Sequence, residues 1–258
     1  MSIDYVLYIH FILYCFTFYK SYNISLNGSV LYPIICGWSL FGLLSVGHDK
    51  LHKSKTRFNR IMAFCCLDLF TFNSTEWIYY HNKIHHCNLK SKEDFMGLHG
   101  DTFISEFYNL IYTHIFRKNT ERYTHIVRIP YYILLFRLRW YQIILIYIAL
   151  FSCAAYFTYI THIHNDICFN DNGNNNNGNN NNDIIYILNN TIDIYPNSHI
   201  CGFLMGGFNA HATHHCFPTC NRSNIYEKSL ILKNKYPNNY KCINNIVDLY
   251  KLYWNREI

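Results

Sequence analysis

Two apolar runs near the N-terminus constrain what this chain can fold into. DYVLYIHFILYCFTFY, residues 4 to 19, holds one charged residue, and VLYPIICGWSLFGLLSV, residues 30 to 46, holds none. Each approaches the ~20 residues a helix needs to cross a ~30 Å hydrocarbon core. With only Lys20 and the polar patch SYNISLNGS between them, they read as a transmembrane hairpin. The first run lacks the positive leader and small-residue cleavage site of a signal peptide, so it is expected to be retained. GHDKLHKSKTRFNR follows the second run, and its Lys50, Lys53, Lys55, Arg57 and Arg60 assign the end of the hairpin, and hence its N-terminus, to the cytosol. Asn23 and Asn27 each head a glycosylation-type triplet in the patch, which fits a lumenal turn.

Composition agrees with a membrane protein. Only 15% of residues are charged while half are apolar, a low charge content for a soluble domain. The mean hydropathy near zero is an average lowered by the Asn tract of the second half. The eleven cysteines are scattered, with Cys15, Cys36, Cys65, Cys66 and Cys153 inside apolar runs, so they read as small buried hydrophobes rather than a disulfide framework. A net charge of +6 without a concentrated basic patch gives no reason to expect a nucleic-acid partner.

Further along, IMAFCCLDLFTF, residues 61 to 72, is too short to span and is expected to lie in the interface. The apolar region from Ile129 to Thr161 is interrupted by Arg137 and Arg139. It admits two short crossings turning at those arginines, or one crossing preceded by an interfacial segment. DNGNNNNGNNNND, residues 171 to 183, cannot bury enough surface to fold and is expected to be a disordered insertion. The chain thus divides into residues 1 to 170, this insertion, and a segment from 184 to 258 that ends in a soluble tail.

Eight of the fifteen histidines fall into three clusters: His48 and His52 in HDKLH, His81, His85 and His86 in HNKIHH, and His211, His214 and His215 in HATHH. Residues three or four apart share a helix face, so each cluster can aim its rings at one place. The first two clusters share the cytosolic side. The third joins them only if the region from 129 to 161 crosses an even number of times. A nitrogen-rich set without clustered carboxylates suits iron, zinc, copper or nickel rather than calcium or magnesium. Eight imidazoles exceed what one tetrahedral ion takes, and two ions are the natural count. Cys216 and Cys220, spaced CxxxC, read as packing residues before metal ligands. His99, His114 and His125 read as interfacial or surface residues, and His10 as part of a membrane helix.

These motifs resemble the three histidine boxes of the membrane fatty acid desaturases. GHDKLHKS is similar to the first box with its leading Gly and trailing Ser, WIYYHNKIHH to the second with its upstream Trp, and GGFNAHATHHCFP to the third with its Gly-Gly, Asn and Phe-Pro. The resemblance runs from about Leu43 to Thr219. It implies an all-α integral membrane fold with four transmembrane helices and a cytosolic cap enclosing two non-haem iron ions, with His48, His52, His81, His85, His86, His211, His214 and His215 as ligands. It also implies dioxygen as co-substrate and a fatty acyl lipid or acyl-CoA as substrate. A separate electron donor of the cytochrome b5 or ferredoxin type is implied, since no HPGG haem signature is present; the endoplasmic reticulum is the expected membrane. The third box begins with His211 where many front-end desaturases carry Gln. The family usually has a further histidine ahead of that box, and DIIYILNNTIDIYPN has none. His162, where the last apolar run emerges, is the candidate for this ninth position, with His164 and His199 as alternatives.

A lipid hydroxylase would use the same ligands, and a membrane metal transporter would place its ligands inside the bilayer. Lys50, Lys53, Lys55, Arg57, Lys83, Lys90 and Lys92 flank the first two boxes and can attract an acidic electron donor or hold anionic lipid. If the Asn tract is only a solvated insertion, deleting residues 172 to 182 leaves turnover near the parent value at equal expression; a collapse in turnover would show that the tract has a structural or docking role.

Overall fold

The computed structural model describes residues 4–53, 55–69, 73–86, 89, 103–104, 107–108, 128–162, 184–245, 247–248 and 251. The Asn tract and His99, His114, His125, His164, Lys90 and Lys92 lie outside these residues. Among them the chain is mostly helical. Helices α1 (Tyr5–Ser25) and α2 (Leu31–His52) form the expected hairpin. Asp4 caps α1 by accepting from the Leu7 backbone N–H at 3.3 Å, filling one of the donors that a helix start leaves open. The turn passes through Gly28 at φ +91°, a conformation that favours glycine. Contacts pair Tyr8 with Lys50, Ser21 with Cys36, and the Tyr14 ring with Gly42. Ascending numbers on one helix meet descending numbers on the other, so the pair is antiparallel.

Helix α3 (Arg57–Cys66) is capped by Thr56, which accepts from the Asn59 N–H at 3.2 Å. Ala63 and Cys66 face inward while Phe58, Ile61 and Phe64 are exposed beside Arg57 and Arg60. Apolar groups flanked by cations on the outer face suit the interfacial position expected for this stretch. Helix α4 (Ser74–Trp77) then runs directly into a π-helix, Ile78–His85.

Helix α5 (Ile129–Phe136) starts where Arg128 Nε donates to the Asp68 carbonyl at 3.1 Å, and the Leu134 carbonyl near its end accepts from Tyr22 OH at 2.8 Å. Tyr22 lies close to the α1–α2 turn, so this stretch carries the chain back toward that turn. Helix α6 (Trp140–Thr161) begins there, with Gln142 Nε2 donating to the Ser25 and Ser29 carbonyls at 2.7 and 2.9 Å. It then runs beside α2 in the same direction. The region from 129 to 161 is therefore a short helix leading toward the α1–α2 turn, a reversal at residues 137–139, and one long helix leading back, two opposed passes that return the chain to the end where α2 finishes. Of the four crossings the resemblance implies, the described residues supply two helices long and apolar enough to span, α2 and α6. Helix α1 is of similar length, and α5 is only about 12 Å long.

The C-terminal segment packs at the end where α2 and α6 finish. It comprises α7 (Ile184–Asn190), strand β1 (Asp193–Ile194), α8 (His199–Leu204), α9 (His211–Cys216), a 3-10 turn at Arg222–Asn224, α10 (Ile225–Lys235) and strand β2 (Cys242–Ile243). The two strands pair in parallel, Asp193 with Cys242 and Ile194 with Ile243.

Helices α2 and α6 pack tightly at Gly37. A Cβ there would come within 2.7 Å of Ala149 Cβ and press on the Ile146 backbone. In an open helix Gly to Ala stabilises by up to ~1 kcal/mol; here overpacking, typically ~1–3 kcal/mol, outweighs that gain because a backbone atom cannot rotate away. Gly37→Ala is expected to lower the thermal midpoint of the detergent-solubilised protein, and an unchanged or raised midpoint would contradict this packing.

Candidate metal centre

The parallel course of α2 and α6 brings both C-terminal ends to one place. The last turns of α2 carry His48 and His52, whose Nε2 atoms lie 3.2 Å apart, as the i, i+4 spacing predicts. The second cluster behaves differently. The π-helix bonds residues five apart, shown by the His86 N–H donating to the His81 carbonyl at 2.9 Å. This brings His86 back against His81, edge to face with Nε2 atoms 2.9 Å apart, while His85 turns toward the other group. π-helical turns are rare and recur at functional sites.

The third cluster is set by the turn before α9. Gly206 and Gly207 adopt φ +64° and +88°; a Cβ would meet Phe41 at 2.9 Å at the first and the Arg222 guanidinium at 2.8 Å at the second. Glycine is needed at both for conformation and for space. On α9, His211 and His215 share a face, with Nε2 atoms 3.1 Å apart, and His214 turns to the other side.

Nine imidazoles meet in two groups. His48, His52, His81, His86 and His214 form the first, and His85, His162, His211 and His215 the second; within each group the candidate ligand atoms lie within 4.8 Å of one another. Neither box two nor box three stays whole, because His85 and His86 divide between the groups, as do His214 and His215. The groups adjoin, with the His86 and His215 rings stacked at 4.4 Å. His162 belongs to the second group: its Nδ1 donates to the Thr158 carbonyl at 2.7 Å, and its Nε2 lies 3.3 Å from His211 Nε2. Since Nδ1 carries the proton, Nε2 keeps its lone pair. His199, the other described alternative, is exposed at the start of α8 and in neither group. Cys216 and Cys220 are also in neither.

The donor set fits a pair of metal ions. Imidazole nitrogens bound about 2.0–2.1 Å from one ion lie about 3 Å apart when they subtend a right angle, close to the observed 2.6 to 3.3 Å. Burial, reinforced by neighbouring imidazoles, holds His81, His86, His211 and His215 well below the usual histidine range, and His214 down to about 3. These rings are neutral at pH 7, as ligands must be. His214 Nε2 is buried without a hydrogen-bond partner among the described residues, an orphan of the kind an ion satisfies. A cavity of about 210 Å³ reaches both groups, bordered by His48, His211 and His214, with Glu227 and Tyr226 at its exposed rim.

Sequence reasoning passed over the support beneath α9. Asp193, wholly buried, accepts from the Thr213 N–H at 3.1 Å, from the Thr213 hydroxyl, and from Tyr240 OH at 2.7 Å. Burial raises its carboxyl to about 6, against hydrogen bonds that favour the charged form. An acid inside the apolar stretch YILNNTIDIY was the available signal. The basic residues also need correction. Lys50 is buried and donates to Tyr8 OH at 3.1 Å, and Lys53 bonds Asn221 at 2.8 Å and Asp4 at 3.5 Å. Both brace the first box from within, leaving Lys55, Arg57 and Lys83 as the exposed members of that set among the described residues.

A family model described as fatty acid desaturase matches residues 114–244, just over half of the 258 residues, and the chain belongs to that family. No curated protein and no solved structure matches the chain. The matched span holds His162 and the third cluster; the first two clusters lie outside it and join the centre by geometry.

Iron content of the purified protein checks this arrangement. Ala at His85 or His214 is expected to reduce bound iron, and His162→Ala to bring it toward one ion per chain, while His199→Ala keeps the parent content. Full iron in His162→Ala would remove that residue from the second group.

Proposed function

We propose that this desaturase-family chain is an oxygen-dependent fatty acyl desaturase, with two iron ions held by the nine imidazoles. One observation carries the reading: two adjoining groups of imidazoles lie at the ends of two apolar helices, beside the region a membrane would occupy. That position favours lipid chemistry. A transporter would bring its ligands along the spans, where intramembrane polar groups mark ion paths.

Iron bound in pairs supplies the activation of dioxygen and the removal of hydrogen from an unactivated C–H bond, which side chains alone cannot do. The protein's own part is to hold and shield. His48, His52, His81, His86 and His214 hold one ion; His85, His162, His211 and His215 hold the other. His162 presents Nε2 because Thr158 takes its Nδ1 proton. Phe208 stacks on His211 at 5.3 Å and Trp77 on His81 at 5.5 Å, apolar faces that keep water from the rings and so protect reactive species from side reactions. Asp193 and Tyr240 fix the helix carrying the third box.

The substrate is an acyl chain of a lipid or a thioester, entering from the membrane side. Electrons come from a separate donor of the cytochrome b5 or ferredoxin type, for which exposed Lys55, Arg57 and Lys83 offer a positive face. The centre faces the cytosol, as the basic residues after the second run favour, and the membrane is that of the endoplasmic reticulum.

Mass spectrometry of lipids from cells expressing the chain tests the reaction. A product lighter by two hydrogens is expected; one heavier by a single oxygen would make the enzyme a hydroxylase. Unchanged lipids at normal expression and full iron, with a competent donor present, would sink both.

A further inference from the structure

A largely buried ion pair stands behind the first imidazole group, with the Asp49 side chain 15% exposed, and nothing in the spacing of the boxes calls for it. Asp49 follows His48 on α2. His48 Nδ1 donates to Asp49 Oδ1 at 3.1 Å, and Arg222 Nε donates to Asp49 Oδ2 at 2.6 Å. A carboxylate oxygen in this arrangement accepts, so the His48 proton sits on Nδ1 and the lone pair stays on Nε2. That nitrogen faces the other candidate ligands, 2.6 Å from His81 Nε2 and 3.2 Å from His52 Nε2.

Arg222 is anchored more thoroughly than its partner requires. One terminal nitrogen donates to Ser45 Oγ at 2.7 Å and the Gly206 carbonyl at 3.0 Å; the other donates to His10 Nδ1 at 3.1 Å. Its backbone N–H donates to Asp4 Oδ2 at 2.9 Å. The guanidinium is thereby fixed against α1, α2 and the turn before the third box. Buried ion pairs pay a desolvation cost that can exceed their attraction, so stability alone is a poor account of this one. Orientation is a better one: a ligand histidine whose second nitrogen is held by a carboxylate is restrained in tautomer and ring angle, and loss of such a partner typically weakens metal binding by about 10–100-fold.

Resting on the metal-centre reading above, we propose that Asp49 and Arg222 are positioning residues for His48. Asp49 fixes the ring, and Arg222 fixes Asp49. Asp49, which bonds His48 and Arg222 and no member of the second group, therefore sets metal affinity in the first group and leaves the second, whose His162 is held by a backbone carbonyl, unaffected.

Cobalt(II) titration of the metal-free full-length protein, followed by visible absorption against a competing chelator, tests this without any lipid reaction. The parent is expected to bind two ions. Asp49→Asn, of nearly the same shape, is expected to weaken one of them by about 10–100-fold while the other keeps parent affinity. The spectrum of its remaining tight ion should match that of His52→Ala, which damages the first group directly, and differ from that of His162→Ala. Arg222→Lys, which keeps a cation but loses the planar fork, should weaken the same ion by a smaller factor, and Arg222→Gln by nearly as much as Asp49→Asn. Parent affinity for both ions in Asp49→Asn overturns the proposal, as does equal weakening of both, which would make the pair a brace for the fold. If the parent itself binds no cobalt, the metal-centre reading falls and this proposal with it.

Discussion

Close packing around α2 is the constraint on which the rest of the structure depends. Gly37 admits α6, Gly42 admits the Tyr14 ring of α1, and Gly47 admits Leu67 just after α3, where a Cβ would stand 2.7 Å from Leu67 Cγ. Five residues advance a helix by about 140° beyond a full turn, so glycines at this spacing open three different faces. Apolar helices in lipid gain little from hydrophobic burial against one another and depend on fit. With α6 seated on one of those faces and running parallel to α2, the ends of both helices, and with them His48, His52 and His162, arrive at the same level.

That convergence has a cost that an ion offsets. Imidazoles removed from water still want partners; Asp49 serves His48 and the Thr158 carbonyl serves His162. The Nε2 atoms of His48, His52, His81 and His86 in one group, and of His162, His211 and His215 in the other, face one another across spaces of ligand-pair size. Metal binding and folding are linked wherever a site is built this way, since binding free energy stabilises the folded form. The same desolvation disfavours protonation of His81, His86, His211, His214 and His215 and so leaves their lone pairs for coordination.

The C-terminal segment completes the enclosure by long-range contacts. Asp193 and Tyr240, held in register by the β1–β2 pairing, grip α9 from below, while Arg222 joins the N-terminus, α2 and the third-box turn. Three ionisable groups, buried Asp193 and Arg222 and partly buried Asp49, thus carry the positional accuracy that a short six-residue helix and a glycine turn could not supply on their own.

What could be read from the sequence is whatever depends on neighbours along the chain. The two apolar runs declared a hairpin, and the i, i+4 spacings of His48 with His52 and His211 with His215 held in three dimensions. The family resemblance rested on such local patterns. His162 was found the same way, from its place at the end of an apolar run. The division of nine histidines into five and four was not legible, because it turns on a π-helix that separates His85 from His86 and on packing between α2, α6 and α9. Nor were the inward course of Lys50 and Lys53 or the meeting of Asp49 with Arg222. Local spacing fixes which rings share a face of their own helix; which rings share an ion is decided only when elements far apart in the chain are packed against each other.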